Sequence, residues 1–190
     1  DLARRDIGVI PCIRPGKRGV LSFHSTKFET VVECDLMEDG EIKFSGDVDC
    51  ITHCAGVVSF RGVGDKNEQM ARKVIGLARK FDVPIYFVST AFVYKPPCSS
   101  GEFNNDYEKD KFNAEQLLMA SNVPHTIFRP SVLTGNSHTG EIRNFSGYYL
   151  IIRAFLSVIH EAKAKNRTLR FPRMSGASDM VPVDQAAESI

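Results

Sequence analysis

The architecture is specified by two neighbouring segments, Pro84-Ile-Tyr-Phe-Val-Ser-Thr90 and Asn104-Asn-Asp-Tyr-Glu-Lys-Asp-Lys-Phe-Asn-Ala-Glu-Gln-Leu-Leu118. The first is a short, nearly continuous apolar run, which is typical of a strand that is covered on both faces. The second predicts an amphipathic helix over 107–120, and Asp106 or Asn105 could cap its first turn. A buried strand followed by a helix is the repeating unit of a parallel α/β sheet.

The same alternation extends along the rest of the chain. Apolar, β-branched runs predict strands at 7–13, 30–34, 48–53 and 125–129, and apolar spacing predicts helices at 67–80, at 148–164 and from about Asp184. The fold class that this order favours is α/β, with a doubly wound parallel sheet of the Rossmann type.

A Rossmann-type sheet normally opens with a strand and a Gly-x-Gly-x-x-Gly turn that meets the pyrophosphate, and the sequence contains no such turn. We therefore expect the chain to be a fragment that lacks the first strand and the glycine-rich turn. In a sheet with the strand order 3-2-1-4-5-6, this would leave the second and fourth strands without a shared neighbour unless they pair directly.

Composition limits the classes of function that are open to the chain. It has 190 residues, 43% of them hydrophobic and 25% charged, which is enough for one domain with a real core. Its 24 basic and 23 acidic residues are nearly balanced, so the sequence lacks the excess of basic residues that is typical of nucleic-acid-binding domains. No apolar run approaches the ~18–20 residues of a membrane span, and no signal-peptide pattern is present.

The spacing of cysteine and histidine bears on the compartment and on metals. No two of the five cysteines form a Cys-x-x-Cys pair, which is typical of reduced, mostly buried thiols and predicts a cytoplasmic protein. The five histidines lack the His-x-x-x-His spacing of a zinc site, so no metal site is predicted.

Tyr107 and Lys111 lie four residues apart on the second predicted helix and therefore share one face of it. A free tyrosine has a pKa near ~10, and a fixed cation beside it favours the phenolate and lowers that pKa. The hydroxyl of Thr90, at the end of the preceding strand, could hold a substrate oxygen beside the phenol. This arrangement suits a reaction in which a proton and a hydride move to different atoms.

Together with the strand order, these residues resemble the extended short-chain dehydrogenase/reductase superfamily. The most similar branch is that of the thioester reductases and fatty-acyl-CoA reductases, which carries a male-sterility-type NAD-binding domain. Tyr86-Phe-Val-Ser-Thr-Ala-Phe-Val-Tyr94 is similar to its fifth strand and active-site turn, and Phe128-Arg-Pro-Ser-Val-Leu-Thr-Gly135 to its sixth-strand exit. Asn136-Ser-His-Thr-Gly-Glu141 resembles the Gly-Asp-Ser-x-Thr-Gly stretch of the branch, with Asn136 where aspartate is usual.

The resemblance implies a set of cofactor contacts. Arg14, with Lys17 and Arg18 close by, would favour the 2′-phosphate of NADP over the hydroxyl of NAD, and NAD is the alternative cofactor. Asn67 falls where the family has an asparagine that steadies the active-site backbone. The implied contact residues are Arg14, Asp35, Leu36, Cys54, Ala55, Gly56, Asn67, Tyr107, Lys111, Pro130, Ser131 and Val132. His53, which directly precedes Cys54, is interpreted as a core histidine.

The function implied is that of an NADPH-dependent oxidoreductase that reduces a carbonyl, in particular a thioester or acyl group, with Thr90, Tyr107 and Lys111 as the catalytic triad. The substrate would be a small molecule or an acyl group bound to a carrier. The whole of 1–190 would form a partial NAD(P)-binding Rossmann domain, and 136–180 would contribute to the substrate region. Three alternatives remain: a sugar-nucleotide epimerase or dehydratase, a hydroxysteroid-type dehydrogenase, and a non-catalytic dinucleotide sensor or scaffold.

Overall fold

The structure is a computed structural model, and it describes residues 7–17, 28, 30–38, 40, 42–44, 46–59, 62, 64–94, 103–142, 145, 147–171, 176 and 178–190. Arg18, which the sequence analysis placed near the cofactor, lies outside these residues. Two compact units divide the chain, one formed by 1–129 with Ile190 and the other by 130–189.

Strands and helices alternate through most of the described chain. The strands are β1 (Cys12–Ile13), β2 (Val32–Glu33), β3 (Ile51–His53), β4 (Ile85–Val88), β5 (His125–Phe128), β6 (Val132–Thr134) and β7 (Met180–Pro182). The helices are α1 (Lys66–Phe81), α2 (Asp106–Met119), α3 (Tyr148–Ala164) and α4 (Val183–Glu188), and a short 3-10 helix spans Ala91–Val93. Most of the strands are shorter than the apolar runs that predicted them, whereas α1, α2 and α3 begin and end within one residue of their predicted bounds.

Every strand pairing in the described residues is parallel. In the first unit β1 pairs with β2, and β3, β4 and β5 form a three-stranded sheet in the order β3-β4-β5. In the second unit β6 pairs with β7. The α/β class with parallel sheets is confirmed. Among the described residues no ladder joins β1 to β3.

The hydrophobic core of the first unit lies between α1, α2 and the sheet β3-β4-β5. The apolar residues of α1 recur at the spacing of one helical face, and that face is buried against β4 and α2. Ile85 and Phe87 of β4 are at most 1% exposed, as is Leu118 of α2. The central strand is therefore covered as the continuous apolar run predicted, and it holds the segment that follows it firmly in place.

Candidate active site

The parallel register brings three segments to the carboxyl edge of the sheet. His53 of β3 is in register with Phe87 of β4, and Val88 of β4 is in register with Phe128 of β5. The chain that leaves these strands begins with Cys54, with Ser89 and with Arg129, respectively. Side chains far apart in sequence therefore meet at one edge, which is where open α/β sheets bind their ligands.

Thr90 and Tyr107 are hydrogen-bonded at this edge. Both residues are buried, and their side-chain hydroxyl groups are hydrogen-bonded to each other. The Thr90 oxygen also accepts from Phe92 N at 3.4 Å, which caps the 3-10 helix that follows β4. The structure thus brings together two of the three predicted catalytic residues.

Lys111 lies one turn after Tyr107 on α2, and it is only 4% exposed. Its Nζ donates to the carbonyl oxygen of Val88, the last residue of β4, at 2.9 Å and lies 4.8 Å from the centre of the Phe87 ring. Burial lowers the pKa of Lys111 to about 8, although the carboxylates of Glu115 and Asp110 oppose this shift.

The direction of the Tyr107 pKa shift corrects one prediction. We expected the ammonium of Lys111 to lower that pKa, but in this structure burial raises it and outweighs the opposing hydrogen bond from Thr90. The net direction was wrong because sequence spacing shows which groups share a helix face, whereas desolvation depends on how deeply the face is packed.

His53 is buried in the interior of the first unit, near Lys111 of α2. It is 4% exposed, and its ring centroid lies 5.1 Å from that of Phe87. Burial, with a smaller contribution from the charge of Lys111, lowers the pKa of His53 to about 4. The interpretation of His53 as a buried core histidine is confirmed, and its imidazole is neutral at neutral pH.

Asn67 connects the start of α1 to the segment after β3. Its side chain accepts from Val57 N at 2.9 Å and donates to the Val57 carbonyl oxygen at 3.2 Å. A Cβ atom added at Gly56 would lie 3.2 Å from the Asn67 Oδ1. This pairing fits the expected role of Asn67, which is to steady the backbone at the active-site edge.

The residues proposed for the adenosine end follow β1 and β2. Arg14 and Lys17 are exposed in the turn after β1, where Lys17 N donates to the Arg14 carbonyl oxygen at 3.1 Å. Asp35 and Leu36 are half-buried after β2, and an Asp35 carboxylate oxygen accepts from Met37 N at 2.9 Å. Arg14 and Asp35 therefore follow adjacent, paired strands at their carboxyl ends.

The other residues for which the resemblance implies contact with the cofactor lie partly in the first unit and partly in the second. Cys54, Ala55 and Gly56 are exposed after β3 in the first unit. Pro130, Ser131 and Val132 open the second unit and are half-buried, with Val132 already in β6.

In the second unit the turn after β6 is held by Asn136, whose Oδ1 accepts from His138 N at 2.9 Å and from Thr139 N at 3.0 Å. This asparagine, which stands where the family has aspartate, has the acceptor oxygen that the turn needs.

Sequence reasoning missed the charged residues that α2 buries. Asp110 and Glu115 are at most 2% exposed, although both lie in a helix whose composition is largely polar. Glu115 accepts two hydrogen bonds from Arg129, at 2.7 Å from Nη2 and 3.0 Å from Nε. Helical spacing could have predicted their burial, since both residues fall on the helix face that Tyr107 and Lys111 share.

Neither a metal cluster nor a membrane-spanning helix occurs in the described part of the chain. Within the ranges given above, no three histidine, cysteine or acidic side chains are grouped as a metal site would require. None of the helices that the structure describes is both long and apolar enough to cross a membrane.

Comparison with known proteins gives the family. The family model described as "Male sterility protein", a family of NAD-binding domains, matches residues 33–190. The chain belongs to this family. The male sterility family lies within the extended short-chain dehydrogenase/reductases, which are oxidoreductases that use a nicotinamide dinucleotide, so the resemblance inferred from the sequence is confirmed.

Individual proteins of known sequence or structure are also similar to the chain. A subunit of the linear gramicidin synthase of Brevibacillus parabrevis is 28% identical over 165 aligned residues, and the match covers 75% of this chain and only 3% of that protein. The enzyme WbmH of Bordetella bronchiseptica, solved with NAD+, is 18% identical with a TM-score of 0.65 over 99% of this chain and 64% of that one. The aureusimine biosynthetic cluster reductase domain is 17% identical with a TM-score of 0.54 over 75% and 43%. At these identities the two structures show the fold alone.

Proposed function

We propose that this domain catalyses the NADPH-dependent reduction of a carbonyl group, most specifically an acyl thioester, with Thr90, Tyr107 and Lys111 as catalytic residues. The observation that carries the proposal is the hydrogen bond between the side chains of Thr90 and Tyr107 at the carboxyl edge of the sheet, one helical turn from the buried Lys111. Membership of the male sterility family supports the cofactor class.

Each catalytic residue has a separate task in this proposal. A bound nicotinamide dinucleotide would supply a hydride to the carbonyl carbon, from which a thioester would then release its thiol, and negative charge would develop on the carbonyl oxygen. Tyr107 gives its proton to that oxygen, while Thr90 donates a hydrogen bond to it. Because burial raises the pKa of Tyr107, the phenol holds its proton at neutral pH and is available as an acid. Lys111 binds the nicotinamide ribose and supplies positive charge near the phenol.

The choice of NADPH over NADH rests on Arg14 and Lys17. Both are exposed cations in the turn after β1, and Arg14 directly follows β1, whose partner β2 is followed by Asp35. A guanidinium recognises a phosphate through two parallel hydrogen bonds, whereas a ribose hydroxyl offers no charge to pair with. The backbone of the exposed segment from Cys54 to Gly56 is accessible to the dinucleotide.

A carrier-bound acyl group is the form of substrate that we propose. One similar protein is a subunit of a linear gramicidin synthase, and one structural neighbour is the reductase domain of the aureusimine biosynthetic cluster. We propose that 1–190 acts as the dinucleotide-binding domain and that 136–180 contributes to the substrate region.

Substrate panels test the proposal directly. The full-length protein is given NADPH or NADH together with acyl-CoA, carrier-bound acyl or nucleotide-sugar substrates, and oxidation of the dinucleotide is followed by absorbance. Thioester-dependent oxidation that is faster with NADPH is expected. Conversion of nucleotide sugars without net oxidation of the dinucleotide, detected by chromatography of the products, would instead indicate an epimerase or dehydratase, and dinucleotide binding without turnover of any substrate would indicate a sensor.

Three substitutions test the roles of the hydroxyl groups. Tyr107→Phe and Thr90→Val should each lower kcat by about 10²–10⁴-fold, because each removes a group that acts on the developing oxyanion. Ser89→Ala is the matched control, since the buried Ser89 hydroxyl has no partner among the described residues and its loss should leave kcat near the wild-type value. A Ser89→Ala variant as inactive as Thr90→Val would overturn the assignment of Thr90.

A further inference from the structure

A buried carboxylate lies between the two catalytic residues of α2. Asp110 is three residues after Tyr107 and one before Lys111, and it is only 2% exposed. Burying a carboxylate costs several kcal/mol unless hydrogen bonds replace its water. The partners of Asp110 therefore indicate what its charge is used for.

Asp110 caps a different helix from its own. Its Oδ2 accepts from Asn67 N at 2.8 Å, and its Oδ1 accepts from Glu68 N at 3.1 Å. These are N–H groups of the first turn of α1, which have no partner inside a helix. The residue that precedes α1, Asp65, makes no capping hydrogen bond with its side chain, so the carboxylate of α2 takes that role.

A chain of hydrogen bonds runs from Asp110 to the carboxyl edge of the sheet, where the cofactor is proposed to bind. Asp110 Oδ2 also accepts from Asn67 Nδ2 at 2.7 Å, which orients the amide of Asn67. The same amide holds both the N–H and the carbonyl oxygen of Val57. One carboxylate thus links the helix of Tyr107 and Lys111 to the segment that begins at Cys54 and includes Gly56, through a single intervening side chain.

Charge gives Asp110 a second effect on the site. The ammonium of Lys111 is faced by Glu115 and Asp110 on α2, by Cys54 after β3 and by His53 on β3. Glu115 is already paired with Arg129, whereas the hydrogen-bond donors to Asp110 are neutral N–H groups. The Asp110 charge therefore helps to keep the buried ammonium protonated.

We propose that Asp110 is a positioning residue that couples the catalytic helix to the dinucleotide-binding segment after β3. This inference rests on the proposed function for the roles of Tyr107 and Lys111, but its geometric part concerns dinucleotide binding alone. The carboxylate fixes Asn67, Asn67 fixes Val57, and the backbone beside Gly56 is held in place for the cofactor.

Three variants of the full-length protein separate the two effects. Asp110→Asn removes the charge and replaces one of the two acceptor oxygens with an NH2 donor, so that at least one N–H group loses its acceptor. It should raise the Kd for NADPH about tenfold or more, as expected for loss of a hydrogen bond to a charged group. Asn67→Ala breaks the link to Val57 but keeps the carboxylate, and should also raise that Kd. Asp106→Asn, an exposed position on the same helix, is the matched control and should leave the Kd unchanged.

The pH dependence distinguishes positioning from a general loss of structure. The pH above which NADPH affinity and kcat/KM decline should move downward in Asp110→Asn, because Lys111 loses a neighbouring negative charge, but should stay in place in Asn67→Ala. Far-ultraviolet circular dichroism confirms that each variant is folded.

Asp110→Asn with wild-type NADPH affinity and an unchanged pH limit would overturn the inference. If the wild-type protein reduces no thioester but the Kd and its pH limit shift as expected, the proposed function fails and the positioning role of Asp110 stands.

Discussion

Desolvation governs the titratable side chains at the carboxyl edge of the β3-β4-β5 sheet. Burial raises the pKa of Tyr107, lowers that of Lys111 to about 8 and lowers that of His53 to about 4. In each case the neutral form is favoured, as expected where little water reaches the charged group. The site is therefore arranged around a protonated phenol and an ammonium that neighbouring carboxylates sustain.

The buried imidazole of His53 predicts a loss of stability in acid. Its pKa lies near 6.5 in an unfolded chain and at about 4 in the folded one, so the unfolded chain binds more protons in between. The free energy of unfolding should fall as the pH is lowered through this window, by up to about 3 kcal/mol from this group.

Urea unfolding at a series of pH values checks the prediction. In His53→Gln this part of the pH dependence should be absent, whereas His160→Gln, at an exposed position on α3, should behave as the wild type. An unchanged acid dependence in His53→Gln would show that other groups control acid stability.

At the scale of elements, α2 is unusual because its buried face is charged. Glu108, Asp110, Lys111 and Glu115 are all at most 4% exposed. Each has a partner outside the regular helix ladder: Glu108 accepts from the asparagines that precede the helix, and the other three bind α1, β4 and Arg129, respectively. A helix with this face is held in place by specific polar contacts as well as by apolar packing, so its rotation and register are closely defined.

The N-terminus of α2 should be sensitive to its cap. The side chain of Asn105 accepts from Glu108 N at 3.0 Å, which satisfies one of the first-turn N–H groups, and Glu108 in turn accepts from Asn104 N at 3.0 Å. Asn105→Ala should lower the free energy of unfolding by about 1 kcal/mol. Asn113→Ala, in the interior of the same helix, is the control and should be neutral or slightly stabilising. Equal effects in chemical denaturation would show that the cap contributes nothing specific.

Across the whole molecule, buried apolar side chains are concentrated in one unit. The described core consists of residues from α1, β4, α2 and their flanking turns, all within 1–129. In the described part of 130–189, the one buried hydrophobic residue is Ala162. The helix α3 instead exposes a series of large apolar side chains, among them Leu150, Ile151 and Leu156. Stability should therefore depend unequally on the two units.

Alanine substitution of one leucine in each unit tests whether stability depends unequally on the two units. Leu118 of α2 is 1% exposed and Leu156 of α3 is 60% exposed. Leu118→Ala should lower the free energy of unfolding by about 2–5 kcal/mol, because it leaves a cavity in the core. Leu156→Ala removes the same atoms from a surface position and should change it by no more than about 0.5 kcal/mol. A large loss of stability in Leu156→Ala would mean that the face of α3 is covered in the molecule as it exists in solution.

The strands β6 and β7 were not predicted. Periodicity in the chain was sufficient for the order of β1 to β5 and of the helices, for the bounds of α1, α2 and α3, and for placing Tyr107 and Lys111 on one helix face. These features depend on residues close together in sequence, so local patterns record them. The partner of Asn67 is Asp110, 43 positions away, and no local pattern links the two. The pKa direction of Tyr107 likewise follows from the depth at which α2 is packed against β4. Long-range contacts and burial arise only when the elements assemble, and for that reason the tertiary structure was needed for both.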